Sequence, residues 1–188
     1  MNVNEIIFVG SYGGRGTRLL RPDGSSYTNG GPKSLLFVGG LPLGGYTIIQ
    51  ALSLGVLYFL ISVNRKEDAD LWEMILTNLK RRYDGFKPEF NLGLHSIGKP
   101  TDVFASEDTL RFLSRYPKYP ILWCFGDDYL PDGHLEFLLE EYRRHGRSVA
   151  TRKHVSKFNG VLDISNMEMN MRYTDGKEVY LNGFQTHQ

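Results

Sequence analysis

The first apolar run of the chain, EIIFVG over 5–10, is short, β-branched and closed by glycine, which predicts a buried strand. A second run, IIQALSLGVLYFLISV over 48–63, is interrupted by Gln50, Ser53, Gly55 and Ser62. It falls short of the ~20 apolar residues that a membrane span needs. It predicts instead a helix over 46–55 that ends at Gly55, then a buried strand over 56–63. Over 67–85 the apolar positions Leu71, Met74, Ile75 and Leu79 form a helical stripe, with Arg81 and Arg82 near the C-terminal end and Gly85 beyond it. FNLGLHSI (90–97) reads as a short strand. TDVFASEDTLRFLSRY (101–116) reads as a helix stopped by Pro117. YPILWCFGDD (119–128) predicts a strand that ends in a glycine and two acids, and GHLEFLLEEYRRHG (133–146) a helix. The remainder holds short strand-like pieces at 148–155, 159–165, 169–176 and 178–184, divided by turn residues.

Strand and helix therefore alternate through the first three quarters of the chain, the pattern of an α/β fold with a mostly parallel, Rossmann-like sheet and helices on both faces. A chain of 188 residues suits a single domain over 1–188, with a βα part at 1–146 and short strands at 147–188. Open sheets of this kind bind ligands outside the carboxyl ends of their strands. Two unusual segments, GSYGGRGTR and GDD, fall at that end.

Composition narrows the function classes. Hydrophobic residues make up 41% and charged residues 23%, ordinary for a globular protein with a core. The net charge of +1 gives no general attraction to nucleic acid or to an acidic membrane, so neither is expected as a partner. The single cysteine, Cys124, allows no internal disulfide, lies in an apolar strand as inert core, and fits a reducing, cytoplasmic setting. The opening MNVNEIIFVG lacks the basic start and longer apolar run of a signal peptide. The five histidines show no metal-ligand spacing. The basic stretches RRYDGFK and YRRHGR sit where helix C-termini favour cations anyway.

The segment between the first strand and the next apolar run, 13–43, is rich in glycine and carries cations. Successive glycines let backbone N–H groups converge on phosphate oxygens without obstruction. A P-loop would need Gly-Lys-Ser/Thr at its end, where this chain has Gly16-Thr17-Arg18. A dinucleotide fingerprint would need glycines in a register that Gly10, Gly13, Gly14 and Gly16 do not supply, although Asn64-Arg65 after the second long strand stands where an NADP 2′-phosphate could be met. RPDGSSYTNGG (21–31) reads as a mobile loop.

A third pattern fits all the elements. GGRGTRL, then PKSLLFVGGLPL, then a strand ending in Gly126-Asp127, closely resemble the signature of the sugar-1-phosphate nucleotidylyltransferases. The resemblance is dense over 6–64, returns at 119–142, and implies the nucleotide-diphospho-sugar transferase type of fold. It implies transfer of a nucleoside monophosphate unit from a nucleoside triphosphate to a sugar 1-phosphate or similar phosphorylated small molecule, with Mg²⁺ and release of pyrophosphate. On that resemblance Gly13, Gly14, Gly16 and Thr17 cradle the nucleotide, and Arg18 holds the departing phosphates through its planar fork. Lys33 reaches the α-phosphate, and Asp127 holds the metal, with Asp128 helping through water or capping the next segment. YLNGF (180–184) resembles the strand that meets the sugar, placing Asn182 and Gly183 there. A homo-oligomer is compatible with all of this.

The chain also differs from that pattern. GSY (10–12) replaces a small apolar pair and puts Tyr12 near the nucleotide; the loop between Arg18 and Lys33 is longer; PTDVFAS (100–106) stands where a Gly-Thr-Ala stretch meets the base. Lys177-Glu178 is a poor substitute for a Glu-Lys pair, and a further metal-sharing aspartate would lie beyond Gln188. Two alternatives follow: a compact guanylyltransferase acting on a cofactor precursor, and a catalytically inactive nucleotide-binding or regulatory homologue.

Overall fold

A computed structural model describes residues 3–15, 21–96, 100–127, 130 and 132–145, together with the backbone of three short strands further on. In chain order the elements are β1 (Ile7–Ser11), β2 (Phe37–Val38), β3 (Leu41–Pro42), α1 (Leu43–Ser53), β4 (Tyr58–Val63), α2 (Lys66–Arg82) and β5 (Glu89–Leu94). They continue with α3 (Glu107–Leu113), β6 (Ile121–Phe125), α4 (His134–His145), β7 (Val161–Asp163), β8 (Asn170–Arg172) and β9 (Gly183–Gln185).

The main sheet has the order β5-β4-β1-β6-β9. Its first four strands are parallel, and β9 pairs antiparallel with β6, Gly183 facing Trp123. Every residue of β1 and β6 is buried, as expected of strands covered on both faces. Alternation along the strands divides the core in two. Phe8, Phe59, Ile61 and Cys124 pack with Ile48, Leu52, Trp72, Leu76 and Leu138, so α1, α2 and α4 cover one face. Val9, Leu60 and Trp123 pack with Val103, Phe112 and Leu113, so α3 and the turn before it cover the other. The chain runs from β1 outward to β5 and then crosses back to β6 on the opposite side of β1. Order reverses between β1 and β6, which leaves a crevice at their carboxyl ends.

Several local expectations shift. Helix α1 starts at Leu43 rather than at 46 and takes in Gly44 and Gly45; Gly55, at φ +93°, closes it in the left-handed conformation that glycine adopts without strain. The buried face of α2 is Asp68, Trp72, Leu76 and Leu79, while Leu71 and Met74 of the expected stripe are 51% and 66% exposed. The large ring of Trp72 takes the centre of the contact and turns its neighbours outward. The single helix expected over 101–116 is a 3-10 turn (Pro100–Ala105) and then α3, because the Ser106 side chain accepts from the Thr109 N–H and starts a new helix. The strand expected over 119–128 ends at Phe125. Of the short pieces beyond 147, 148–155 lies outside the described residues; β7 and β8 pair with each other, and β9 joins the main sheet.

Candidate functional site

The crevice is lined by the segments leaving β1 and β6. Past β1 the chain runs through Tyr12, Gly13, Gly14 and Arg15. The segment at Pro32–Leu36 then folds back against it: the Lys33 N–H donates to the Gly14 carbonyl at 2.7 Å and the Ser34 hydroxyl to the Tyr12 carbonyl at 2.9 Å. Past β6, the Gly126 N–H donates to the Ser11 carbonyl at 3.2 Å, which fixes the start of the turn holding Asp127. These bonds bring the Lys33 ammonium against the Asp127 carboxylate as a direct ion pair, with side chains 27% and 33% exposed. A pair so open to solvent contributes on the order of 1 kcal/mol or less. A phosphate or a cation can therefore separate it at small cost.

The glycines at this edge have different reasons for being glycine. A Cβ on Gly13 would lie 1.9 Å from the Asn64 Oδ1, so Asn64 packs flat against its backbone. The Asn64 amide donates to the carbonyls of His95 and Ser96 at 3.1 and 3.0 Å, tying together the exits of β1, β4 and β5. This amide is committed to the scaffold, which removes one support for an NADP 2′-phosphate site. Gly14 is exposed, and among the described residues a Cβ there would meet the Lys33 Cε alone, at an ordinary 3.8 Å. Packing against the described residues does not require glycine at 14.

Tyr12 is a correction. It was expected beside the nucleotide, but its ring is buried at 1% exposure, edge-on to Trp72 with centroids 5.0 Å apart, and its hydroxyl donates to the Gly44 carbonyl at 2.8 Å. The ring fits between β1, α1 and the end of β6 because the positions facing it, 10, 44 and 126, carry no side chain. A Cβ on Gly10, Gly44 or Gly126 would lie 2.6, 2.5 or 2.6 Å from a Tyr12 ring atom. Part of the glycine enrichment thus serves packing under the site rather than ligand approach.

The stretch 21–31, expected as a mobile loop, is organised by turns. Asp23 accepts from the Ser25 N–H and hydroxyl, the Arg21 N–H donates to the Ser25 carbonyl, and Asn29 and Gly30, at φ 48° and 81°, form an Asn-Gly turn closed by the Gly31 N–H on the Thr28 carbonyl. Arg15 holds this turn in place: Nη1 donates to the Gly30 carbonyl at 2.7 Å and Nη2 to Asp68 at 2.8 Å, while the Thr28 hydroxyl donates to the Arg15 carbonyl at 3.2 Å. The sequence assigns nothing to Arg15, Asp68 or Ser34, and offers Asn64 only as a contact for an NADP 2′-phosphate. Arg15 had one signal, a cation set between Gly14 and Gly16, whereas Asp68 looked like an ordinary first-turn helix acid.

His95 follows β5 and lines a cleft of about 410 Å³ together with Leu94, Ser96, Asp102, Ala105, Ser106 and Glu107. Its Nδ1 lies 2.8 Å from the Ser62 hydroxyl. Burial lowers its pKa, with Asp102 opposing the shift in part.

Among the expected site residues, Gly13, Gly14, Lys33 and Asp127 come together at the crevice, and Gly183 stands on the strand beside β6. Gly16, Thr17, Arg18, Asp128 and Asn182 lie outside the described residues. Among the described residues there is no group of three or more His, Cys, Asp or Glu side chains arranged to hold a metal ion. No described helix is long and apolar enough to cross a membrane.

No family model and no curated protein matches the chain. Solved structures do. An inositol-1-phosphate CTP transferase from T. maritima aligns at TM-score 0.59 and 19% identity, over 98% of this chain and 69% of that one. A protein from Bacillus anthracis, described as a glucose-1-phosphate thymidylyltransferase and solved with sucrose, aligns at 0.59 and 16%, over 96% and 70%. A UDP-glucose pyrophosphorylase complexed with UDP-glucose aligns at 0.58 and 17%, over 96% and 75%. At such identities the likeness shows the fold: a mostly parallel sheet flanked by helices, of the nucleotide-diphospho-sugar transferase type.

Proposed function

We propose that the chain is a nucleotidylyltransferase that joins a nucleoside triphosphate to a sugar 1-phosphate or similar phosphorylated small molecule and releases pyrophosphate. The observation that carries this reading is the meeting of Lys33 and Asp127 beside the unobstructed backbone of Gly14, in the crevice where the strand order reverses. A cation and an acid that face each other at modest exposure supply the two charges a metal-assisted phosphoryl site needs: one for phosphate oxygen, one for a hard divalent ion. The named substrates of the similar structures, all nucleotides or phosphorylated small molecules apart from the bound sucrose, support the same substrate class.

In the reaction, an anionic oxygen of the acceptor's phosphate attacks the α-phosphorus of the triphosphate. A new P–O bond forms there, the bond from the α-phosphorus to the bridging oxygen breaks, and pyrophosphate departs from the opposite side. The attacking oxygen is already ionised at neutral pH, so no general base is required. The protein's part is positioning and neutralisation of charge. Lys33, fixed through its backbone bond to Gly14, meets an α-phosphate oxygen; Gly13, Gly14, Gly16 and Thr17 form the backbone cradle; Arg18 takes the departing phosphates. Asn182 and Gly183, in the 147–188 part of the single domain, would bind the acceptor.

Asp127 is the residue that would hold Mg²⁺. One carboxylate fits that ion when it is bound mainly through substrate phosphates and water, and the partly open Asp127 side chain is accessible to such an ion. Bound there, the ion would neutralise charge on the α-phosphate and leaving group. A thermal-shift panel of ATP, GTP, CTP, UTP and dTTP, each with and without Mg²⁺, tests the reading on wild type and Asp127→Ala. A triphosphate at a hundred times its dissociation constant should stabilise the wild type by about 2.7 kcal/mol. A Mg²⁺-dependent rise with one triphosphate that is lost in the variant supports the proposal and names the base; pyrophosphate release with a phosphorylated acceptor separates an enzyme from a binding homologue. No rise with any triphosphate overturns it.

A further inference from the structure

The Arg15–Asp68 pair ties the segment leaving β1 to the first turn of α2. Arg15 follows directly on Gly14, whose carbonyl accepts from Lys33, and its guanidinium is largely buried, with side-chain exposures of 15% for Arg15 and 9% for Asp68. Asp68 belongs to the first turn of α2, a helix anchored in the core by Trp72, Leu76 and Leu79. The other arm of the guanidinium holds the Gly30 carbonyl, which the Asn29-Gly30 turn presents, and the Arg15 carbonyl accepts from Thr28. One side chain thus fastens both ends of the stretch between Gly14 and Gly31 to a rigid helix. Its planar fork suits this task, since a lysine could reach Asp68 or Gly30 but could not span both in fixed geometry.

We infer that Arg15 is a positioning residue: braced by Asp68, it sets the placement of Gly14, of the 21–31 insertion and, through the Gly14–Lys33 bond, of the Lys33 ammonium at the nucleotide site. The inference rests on the nucleotide reading above for its ligand, and on the chain's own geometry for the brace. A site built from loops gains affinity when the loops are held in the bound arrangement beforehand, so loosening the brace weakens binding.

Two variants test it, Asp68→Asn and Asp68→Ser, which remove the charge partner and leave Arg15 in place; serine guards against a fold defect peculiar to asparagine. Chymotrypsin cleavage after Tyr27, which is 45% exposed, reads the brace without any ligand, and should run about tenfold faster in both variants at a temperature where they and the wild type stay folded. Calorimetric titration with ATP, GTP, CTP, UTP and dTTP reads the consequence, and should show affinity for the bound triphosphate about tenfold lower. Unchanged cleavage in both variants overturns the brace. Weaker binding with unchanged cleavage overturns the positioning role in favour of direct contact with the ligand. If the wild type binds no triphosphate, the nucleotide reading fails, and the cleavage rates alone decide whether the brace exists.

Discussion

Lys33 and Asp127, 94 positions apart in the chain, form a direct ion pair across the carboxyl ends of β1 and β6. Neither is a core residue, and both are reachable from the crevice. Each can be altered without disturbing the buried faces of the sheet. Lys33→Ala and Asp127→Ala should each lower turnover by roughly 10²–10³-fold, the scale set by losing one charge-stabilising group. Pyrophosphate release measured under saturating triphosphate checks this. Thermal midpoints of both variants should stay close to wild type, because a partly exposed pair adds little to stability.

Adjacent glycines should respond in opposite ways. Gly13→Ala drives a methyl group into the Asn64 side chain, whose amide is tied to two carbonyls and cannot simply swing aside. Urea unfolding should show a loss of about 1–3 kcal/mol, the cost of overpacking. Gly14→Ala meets no such obstacle among the described residues and should change stability by less than about 0.5 kcal/mol. Its effect should appear instead in triphosphate affinity, since the new methyl group stands on the open side of the loop.

Tyr12→Phe removes one buried hydrogen bond, leaves the Gly44 carbonyl without that donor, and should cost about 1–2 kcal/mol. Gly44→Ala should cost at least as much, because its Cβ would lie 2.5 Å from the ring. Combining Gly44→Ala with Tyr12→Leu should cost less than the sum of the two single changes. Denaturant titration of all four members of that cycle measures the coupling.

Stability should fall in mild acid, and His95 should be one cause. Burial holds its pKa below the ordinary imidazole value of 6.5, so the folded state resists the proton that the unfolded chain accepts. The contribution is complete above that value and is lost as pH falls through and below it. Asp102 faces the ring and reduces the effect without reversing it. Between pH 7.5 and pH 5.5, His95→Gln should lose less thermal stability than wild type, as differential scanning calorimetry would record.

The long apolar runs identified the parallel strands correctly, because a strand buried on both faces leaves a continuous hydrophobic signature. Gly126 and Asp127 after Phe125 likewise marked a strand end that the folded chain places beside Lys33. What the sequence could not disclose depends on distant volume. Nothing in GSY indicates that the Tyr12 ring turns inward, since the room for it comes from Gly44 and Gly126. Leu71 and Met74 looked like core by spacing alone, yet Trp72 outweighs them once the helix meets the sheet. Asp68 carried no mark of its partnership with Arg15, 53 positions away. The stretch 21–31 looked shapeless because its order comes from turns and a single guanidinium rather than from a hydrophobic period.

The glycine cage around Tyr12 also bears on ancestry. Positions 10, 44 and 126 are far apart in the gene, but each is held small by the same ring. A descendant that lost the aromatic ring would relieve positions 10 and 44 together, whereas 126 would still meet the Ser34 Cβ at 2.6 Å and stay small until Ser34 changed as well. Among related chains positions 10, 12 and 44 should therefore be inherited as a set, and a homologue with a small residue at 12 is where bulkier residues at 10 and 44 should be sought.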